Sequence, residues 1–147
     1  MLCLSIRQPW ATLIITGQKN IEIRSWQPSL KNVGQRILIH AGKKRAEPPA
    51  HVENMAAFYT QPLGAVIGSA LLEGVIRYEK YTDFIVDEEL HLNPACYWDG
   101  ECYGFMFSEV KRFHAPVVCA GKLNFFEVKI NEASIPGCYV PAAQRGL

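Results

Sequence analysis

The sequence lacks the glycine-rich fingerprints that cradle dinucleotides or nucleotide phosphates, and it has no G-x-S-x-G elbow to present a nucleophilic serine. Its histidines, His40, His51, His91 and His114, are scattered, with neither metal-ligand spacing nor a zinc-deaminase signature. No metal and no cofactor are therefore expected. The five cysteines, Cys3, Cys96, Cys102, Cys119 and Cys138, include no CxxC pair. An odd number of thiols without pairing motifs fits free cysteines in a reducing cytoplasm, and a Cys96–Cys102 bridge has only proximity in its favour. No uncharged apolar run is long enough to cross a membrane, and the N-terminus lacks the basic and apolar regions of a signal peptide. A cytoplasmic, membrane-free protein is expected. Charge of one sign is also scarce: the net charge is +1. A general DNA-coating role is disfavoured, and any nucleic-acid affinity has to come from local clustering.

What is present is globular. A chain of 147 residues that is 49% apolar and 20% charged fits one domain with a sizeable core. Leu2 to Ile6 reads as a buried strand. Trp10, Leu13 and Ile14 fall at helical spacing after Pro9, which predicts a helix from about Pro9 to Thr16 that Gly17 ends. Strands are predicted at Asn20–Ser25, Arg36–His40, Gly64–Tyr78, Tyr103–Ser108, Val117–Ala120 and Leu123–Ile130. Gly68 and Gly74 suggest bulges where the long strand curves. Val52, Met55, Ala56 and Tyr59 predict a short amphipathic helix. Asp87, Glu88 and Glu89 suit a turn or short helix, and Lys111–Pro116 a connection. Many short strands with few helices indicate an α+β fold, a small mixed β-barrel with a few helices around a cleft. Strands and helices do not alternate, which disfavours a Rossmann arrangement. No internal repeat or low-complexity segment is present.

The chemistry concentrates in Gly17-Gln18-Lys19-Asn20-Ile21-Glu22-Ile23-Arg24-Ser25-Trp26. Read as a strand after a glycine turn, it sets Asn20, Glu22 and Arg24 on one face and the isoleucines on the other. Lys19 could contact a phosphate, or act as a nucleophile or base if burial and Arg24 lower its pKa. Glu22 could accept from a base amino group or hold its neighbours in place. Arg24 could grip a phosphate or oxyanion bidentately, or form only a structural ion pair with Glu22. The one concentrated basic run, Lys43-Lys44-Arg45 after Ala41-Gly42, reads as a solvated loop or as a phosphate-contacting lip. His40 ends a strand just before it. Trp26 is a candidate base-stacking surface, Trp10 suits core packing on an apolar helix face, and Tyr103 shares the ambiguity.

These residues are recognisable together. Leu4-Ser5-Ile6-Arg7-Gln8-Pro9-Trp10, followed by Gly17-x-Lys19-x-x-Glu22-x-Arg24-Ser25-Trp26, resembles the ASCH (activating signal cointegrator homology) domain of the PUA-like superfamily. Arg36 to Ala41, Gly64 to Gly68 with Glu73, and Ala120 to Val128 look like later strands of the same family. The resemblance covers about residues 2–130, so residues 1–130 are expected to form the ASCH/PUA-like domain, with residues 131–147 a tail packed on it.

The resemblance implies a cleft lined by the G-x-K-x-x-E-x-R motif and an association with RNA or another nucleic acid. The expected ligand is single-stranded or modified RNA, or a nucleotide within it. The expected contacts are Arg7, Lys19, Glu22, Arg24, Trp26, His40, Lys43, Lys44, Arg45, Tyr103 and Lys122. Some small relatives of similar fold remove the acyl group from acetylcytidine, and metal-independent ribonuclease activity has been proposed in the family. An enzyme of that kind would use Lys19, Glu22 and Glu73. The amidohydrolases carry a threonine where this chain has Glu22, which favours binding over that chemistry. A third reading is a sensor or adaptor whose cleft holds a small ligand, with a protein partner still unknown.

Overall fold

The computed structural model describes residues 1–46, 57 and 59–131. In chain order the elements are β1 (Leu2–Gln8), α1 (Trp10–Ile15), β2 (Ile21–Arg24), β3 (Arg36–Arg45), β4 (Ala65–Tyr78), α2 (Tyr81–Val86), α3 (Glu88–His91), β5 (Cys102–Val118) and β6 (Phe125–Glu127). Short 3-10 turns lie at Leu30–Asn32 and Ala95–Tyr97. The strands form one mixed sheet in the order β2-β5-β4-β3-β1-β6. Among the described residues, only the β1–β3 pair is parallel. The sheet curls into a half-barrel, the α+β mixed-barrel architecture expected from the strand-rich pattern and the PUA-like fold that the family resemblance implies.

Why the segments Leu2–Leu4 of β1 and Ile37–Ile39 of β3 read as unbroken apolar runs follows from their place in the sheet. Both are central and covered on both faces, so neither face needs polar residues. Leu4, Ile6, Ile37 and Ile39 point into the main core, together with Ala11, Ile14 and Ile15 of α1 and with Phe105 and Phe107. The alternate residues Cys3 and Leu38 point the other way, against Val66, Phe113 and Phe126. Helix α1 thus plugs the concave side of the curled sheet.

Two boundaries differ from the sequence expectation. The basic run is no loop: β3 continues through it and pairs Arg45 with Gln8 of β1. Residues Lys111–Pro116 are no connection either, because β5 is one 17-residue strand. Its pairing with β4 shifts register three times, and Glu109 adopts a φ of +47°. Bulges insert extra residues, so Phe107, Val110 and Phe113 are buried at intervals of three instead of two. That broken period hid the strand. Arg36 braces the bulge by donating to the Glu109 carbonyl (2.9 Å) and to Ser69 Oγ (3.1 Å). The expected helix at Val52, Met55 and Ala56, Cys138, His51, and the tail beyond Asn131 lie outside the described residues. Cys3, Cys96, Cys102 and Cys119 are free thiols, so Cys96 and Cys102 form no bridge.

The close approach of α1, β4 and β5 depends on Gly68. A Cβ there would sit 2.4 Å from the Lys111 carbonyl oxygen, too near without backbone movement, and 3.0 Å from Ile15 Cγ2, a tight contact. At Gly74 the nearest atom would be Met106 Sδ at 3.5 Å, an ordinary contact. Gly68→Ala is therefore expected to cost about 1–3 kcal/mol through overpacking. Gly74→Ala should stay within about 0.5 kcal/mol of the wild type. Urea unfolding midpoints measure both, and equal losses at the two positions would contradict the packing.

Candidate functional site

A curled sheet whose edges do not pair leaves a seam. Strand β2 hydrogen-bonds only to β5, and β6 covers only the first residues of β1, ending at the Leu4–Phe125 pair. From Ser5 onward β1 has no strand on that side among the described residues. Side chains span the gap instead. Arg24 Nη2, on β2, donates to the Ser5 carbonyl of β1 at 2.7 Å. The Trp26 ring meets Phe105 (5.0 Å) and Phe125 of β6 (5.5 Å) edge-on. The half-barrel is held closed here by a guanidinium and an indole, not by a ladder.

Behind Arg24 runs a line of charges. Glu22 Oε2 accepts from Arg24 at 3.3 Å, and Glu22 Oε1 lies 3.7 Å from Lys19 Nζ. Lys19 Nζ also donates to the His91 carbonyl and sits 5.1 Å from the centre of the Trp10 ring, a cation–π contact. Lys19 is 1% exposed and Glu22 6%. Sequence and fold agree on how this arises. The Gly17 turn (φ +80°) brings the chain back from α1, and the main chain of Asn20 bonds to Leu90 and Phe107, docking the α3 corner against the start of β2. His91 is itself fully buried and satisfied: Nε2 donates to the Phe84 carbonyl, and Nδ1 accepts from the Asn93 amide. Burial pushes the Lys19 pKa down from 10.5 to about 8, outweighing the upward pull of Glu22.

The seam opens into a cleft of about 660 Å³. Strand β1 contributes Ser5 and Arg7, β2 contributes Glu22, Ile23 and Arg24, and β3 contributes Gly42, Lys43 and Lys44. Trp10 and Trp26 form aromatic walls, and Lys122, Leu123 and Asn124 close one side ahead of β6. Asn93 and Tyr97 reach in from the segment after α3. Arg7, Arg24, Lys43, Lys44 and Lys122 are cations, and Glu22 is the one carboxylate among these lining residues. The near-neutral chain therefore concentrates positive charge at one place.

Of the residues singled out from sequence, Arg7, Glu22, Arg24, Trp26, Lys43, Lys44 and Lys122 are brought together here. Lys19 lies beneath the cleft, sealed by Trp10, and reaches it through Glu22. Trp10 serves both the core and the cleft wall. Three residues fall elsewhere. Arg45 turns to the carbonyls of Tyr59 (2.6 Å) and Gln61 (3.3 Å), so it ties down the chain instead of facing the cleft. Tyr103 stands opposite Arg24 in the β2–β5 ladder, but its hydroxyl donates to Glu101 at 3.0 Å and the residue does not line the cleft. Glu73 is exposed on β4 and does not line the cleft, so it forms no catalytic pair with Lys19. Asn93, Tyr97 and Asn124 were missed because they sit in irregular segments with no periodic signal. His40 occupies an adjoining recess of about 390 Å³ that shares Ser5, Lys43 and Lys122 with the main cleft.

Fold and site together define a small PUA-like half-barrel with a cationic cleft at its unpaired seam. The ASCH domain profile matches residues 4–124, and the chain belongs to the ASCH family, which is PUA-like and generally nucleic-acid-binding. The fold is similar to that of the ASCH protein of Zymomonas mobilis, with 19% identity and a TM-score of 0.57 over 80% of this chain and 72% of that one. A serine-to-alanine mutant of the same protein matches at 20% identity and 0.56, over 80% and 72%. A tyrosine-to-phenylalanine mutant matches at 18% and 0.55, over 80% and 74%. No curated protein matches the chain. Among the described residues, no helix is long and apolar enough to cross a membrane.

The buried lysine makes stability depend on pH. Its folded pKa of about 8 lies below the 10.5 of the unfolded chain, so between those values the unfolded chain holds a proton the folded chain has released. Lys19 therefore adds stability as pH rises from about 8 towards 10.5, and weakens the fold below about 8. Lys19→Met is expected to remove that rise. Denaturation at pH 8.0 and 9.5 compares the two proteins, and equal pH slopes would contradict the assignment.

Proposed function

We propose that the chain binds single-stranded or modified RNA, or a nucleotide within it, along the unpaired seam, in a reducing cytoplasmic setting. The observation that carries this is the cleft's lining: five cations and two tryptophans around a single buried carboxylate. Exposed Lys43, Lys44 and Lys122 suit phosphates, because a mobile ammonium is a good point-charge partner. The half-buried Trp26 and Trp10 offer faces and edges to an unstacked base. Glu22, held between Lys19 and Arg24, accepts from a base amino group, a demand that a phosphate alone would not make. Single-strand recognition fits better than duplex recognition, since a cleft of about 660 Å³ admits a splayed nucleotide and not a helix.

The depressed pKa of Lys19 favours a second reading, a Lys19-dependent hydrolase acting on acetylcytidine or on RNA without a metal. Against it stand the sealed position of Lys19, the glutamate at position 22 and an exposed Glu73 that does not line the cleft. Turnover of acetylcytidine that disappears in Lys19→Ala while RNA binding persists would establish this reading over the first.

Binding through two or three phosphates gives log K a slope of about −1.4 to −2 against log salt for a single strand. Fluorescence anisotropy with a labelled ten-nucleotide RNA between 50 and 300 mM salt measures it. The double change Lys43→Ala/Lys44→Ala is expected to flatten the slope by about 1 and weaken binding roughly tenfold or more at low salt, as each phosphate contact is lost. Lys31→Ala, on the exposed turn away from the cleft, should leave it unchanged. Salt-independent binding, or none to any RNA, would overturn the proposal.

A further inference from the structure

The recess beside the cleft holds a serine and a histidine in contact. Ser5 and His40 are direct partners across the parallel β1–β3 pair, and their side chains emerge on the same face. Ser5 Oγ lies 2.9 Å from His40 Nδ1, and His40 Nε2 lies 2.7 Å from the Cys119 carbonyl oxygen. A carbonyl only accepts, so Nε2 carries the proton. Nδ1 then presents its lone pair to the Ser5 hydroxyl, which donates to it. The ring is buried and held edge-on by Phe126 at 6.0 Å. Arg24 fixes the main chain of Ser5 from the other side. A base that is oriented by a third group and touches a hydroxyl is the arrangement nucleophilic catalysis needs.

The surroundings keep that hydroxyl approachable. Ser5 lines both the 660 Å³ cleft and the 390 Å³ recess. Glycines stand where larger residues would crowd it: a Cβ at Gly42 would come within 3.3 Å of Ser5 Oγ, and one at Gly121 within 3.1 Å. Lys43 and Lys122 border the same recess. Other buried polar groups offer less. The His91, Tyr78 and Asp87 cluster is closed on itself, with Tyr78 donating to Asp87 at 2.6 Å, and it lines neither cavity.

We propose that Ser5 and His40 form a nucleophile and base for acyl transfer, acting on small carboxylic esters or amides that enter the recess. As the Ser5 Oγ–carbon bond forms at the carbonyl, the hydroxyl proton passes to His40 Nδ1, and Lys43 and Lys122 stabilise the oxyanion. Collapse of the tetrahedral intermediate breaks the bond to the leaving oxygen or nitrogen, which takes the proton back from Nδ1. Water, deprotonated by the same nitrogen, then releases the acid and restores the Ser5 hydroxyl. Nε2 stays bonded to the Cys119 carbonyl throughout. This activity is separate from RNA binding and does not depend on it.

The test is labelling by a fluorophosphonate, in which the Ser5 Oγ–phosphorus bond forms and fluoride leaves. Intact-mass spectrometry and peptide mapping of the wild-type protein are expected to find one adduct per chain, on Ser5 and on no other serine. That selectivity is read without any variant. Ser5→Ala should abolish the adduct, and His40→Gln, checked for folding by circular dichroism, should slow it at least about 100-fold. No adduct on the wild-type protein, an adduct on another serine, or an unchanged rate in folded His40→Gln would overturn the proposal.

Discussion

The Arg24 guanidinium bridging the sheet's two unpaired edges is the interaction on which the rest depends. A curled sheet in which β2 and the part of β1 beyond Leu4 lack a strand neighbour on one side would expose a row of unpaired amides and carbonyls. Here one guanidinium takes the Ser5 carbonyl of one edge and the Glu22 carboxylate of the other. Glu22 in turn faces Lys19, and Lys19 donates to the His91 carbonyl at the α3 corner. Four separate pieces of chain (β1, β2, the α1–β2 turn and the α3 corner) are fixed by one line of alternating charge.

Such a line is a poor way to gain stability. Desolvating two buried ions costs several kcal/mol each, and well-packed apolar side chains often do as well or better. The downward shift of the Lys19 pKa says the same: burial outweighs the attraction of Glu22. The charges are better understood as the device that keeps the seam both open and shaped. An apolar seam would close on itself or pair with another edge. A charged one stays open as a cleft lined by Glu22 and Arg24, with Lys43 and Lys44 of β3 along its lip.

How much of this could be read from residues alone varies by element, for physical reasons. Strand β2 was legible because Glu22 and Arg24 alternate with Ile21 and Ile23 right after a glycine turn. Helix α1 was legible because Trp10, Leu13 and Ile14 fall at helical spacing after Pro9, although the face the fold buries is Ala11, Ile14 and Ile15. Strand β5 was legible only from Tyr103 to Ser108; its continuation was not, since bulges near Glu109 change the apolar spacing from two to three. Family position suggested Glu73, but only the curl of β4 decides which way that carboxylate faces, and it faces solvent. Ser5 and His40 were each in view, 35 residues apart, yet nothing local says that β1 and β3 run parallel and side by side. The irregular residues Asn93, Tyr97 and Asn124 carry no pattern at all, although they complete the cleft.

Whether the bridged seam takes the proposed RNA is decided by a crystal structure of the protein with a short single-stranded RNA. The expected complex has a strand lying across the seam, with phosphates against Lys43, Lys44 or Lys122 and a base edge at Glu22 beside Arg24. RNA bound on another face, with the seam empty and Arg24 still on the Ser5 carbonyl, would contradict it.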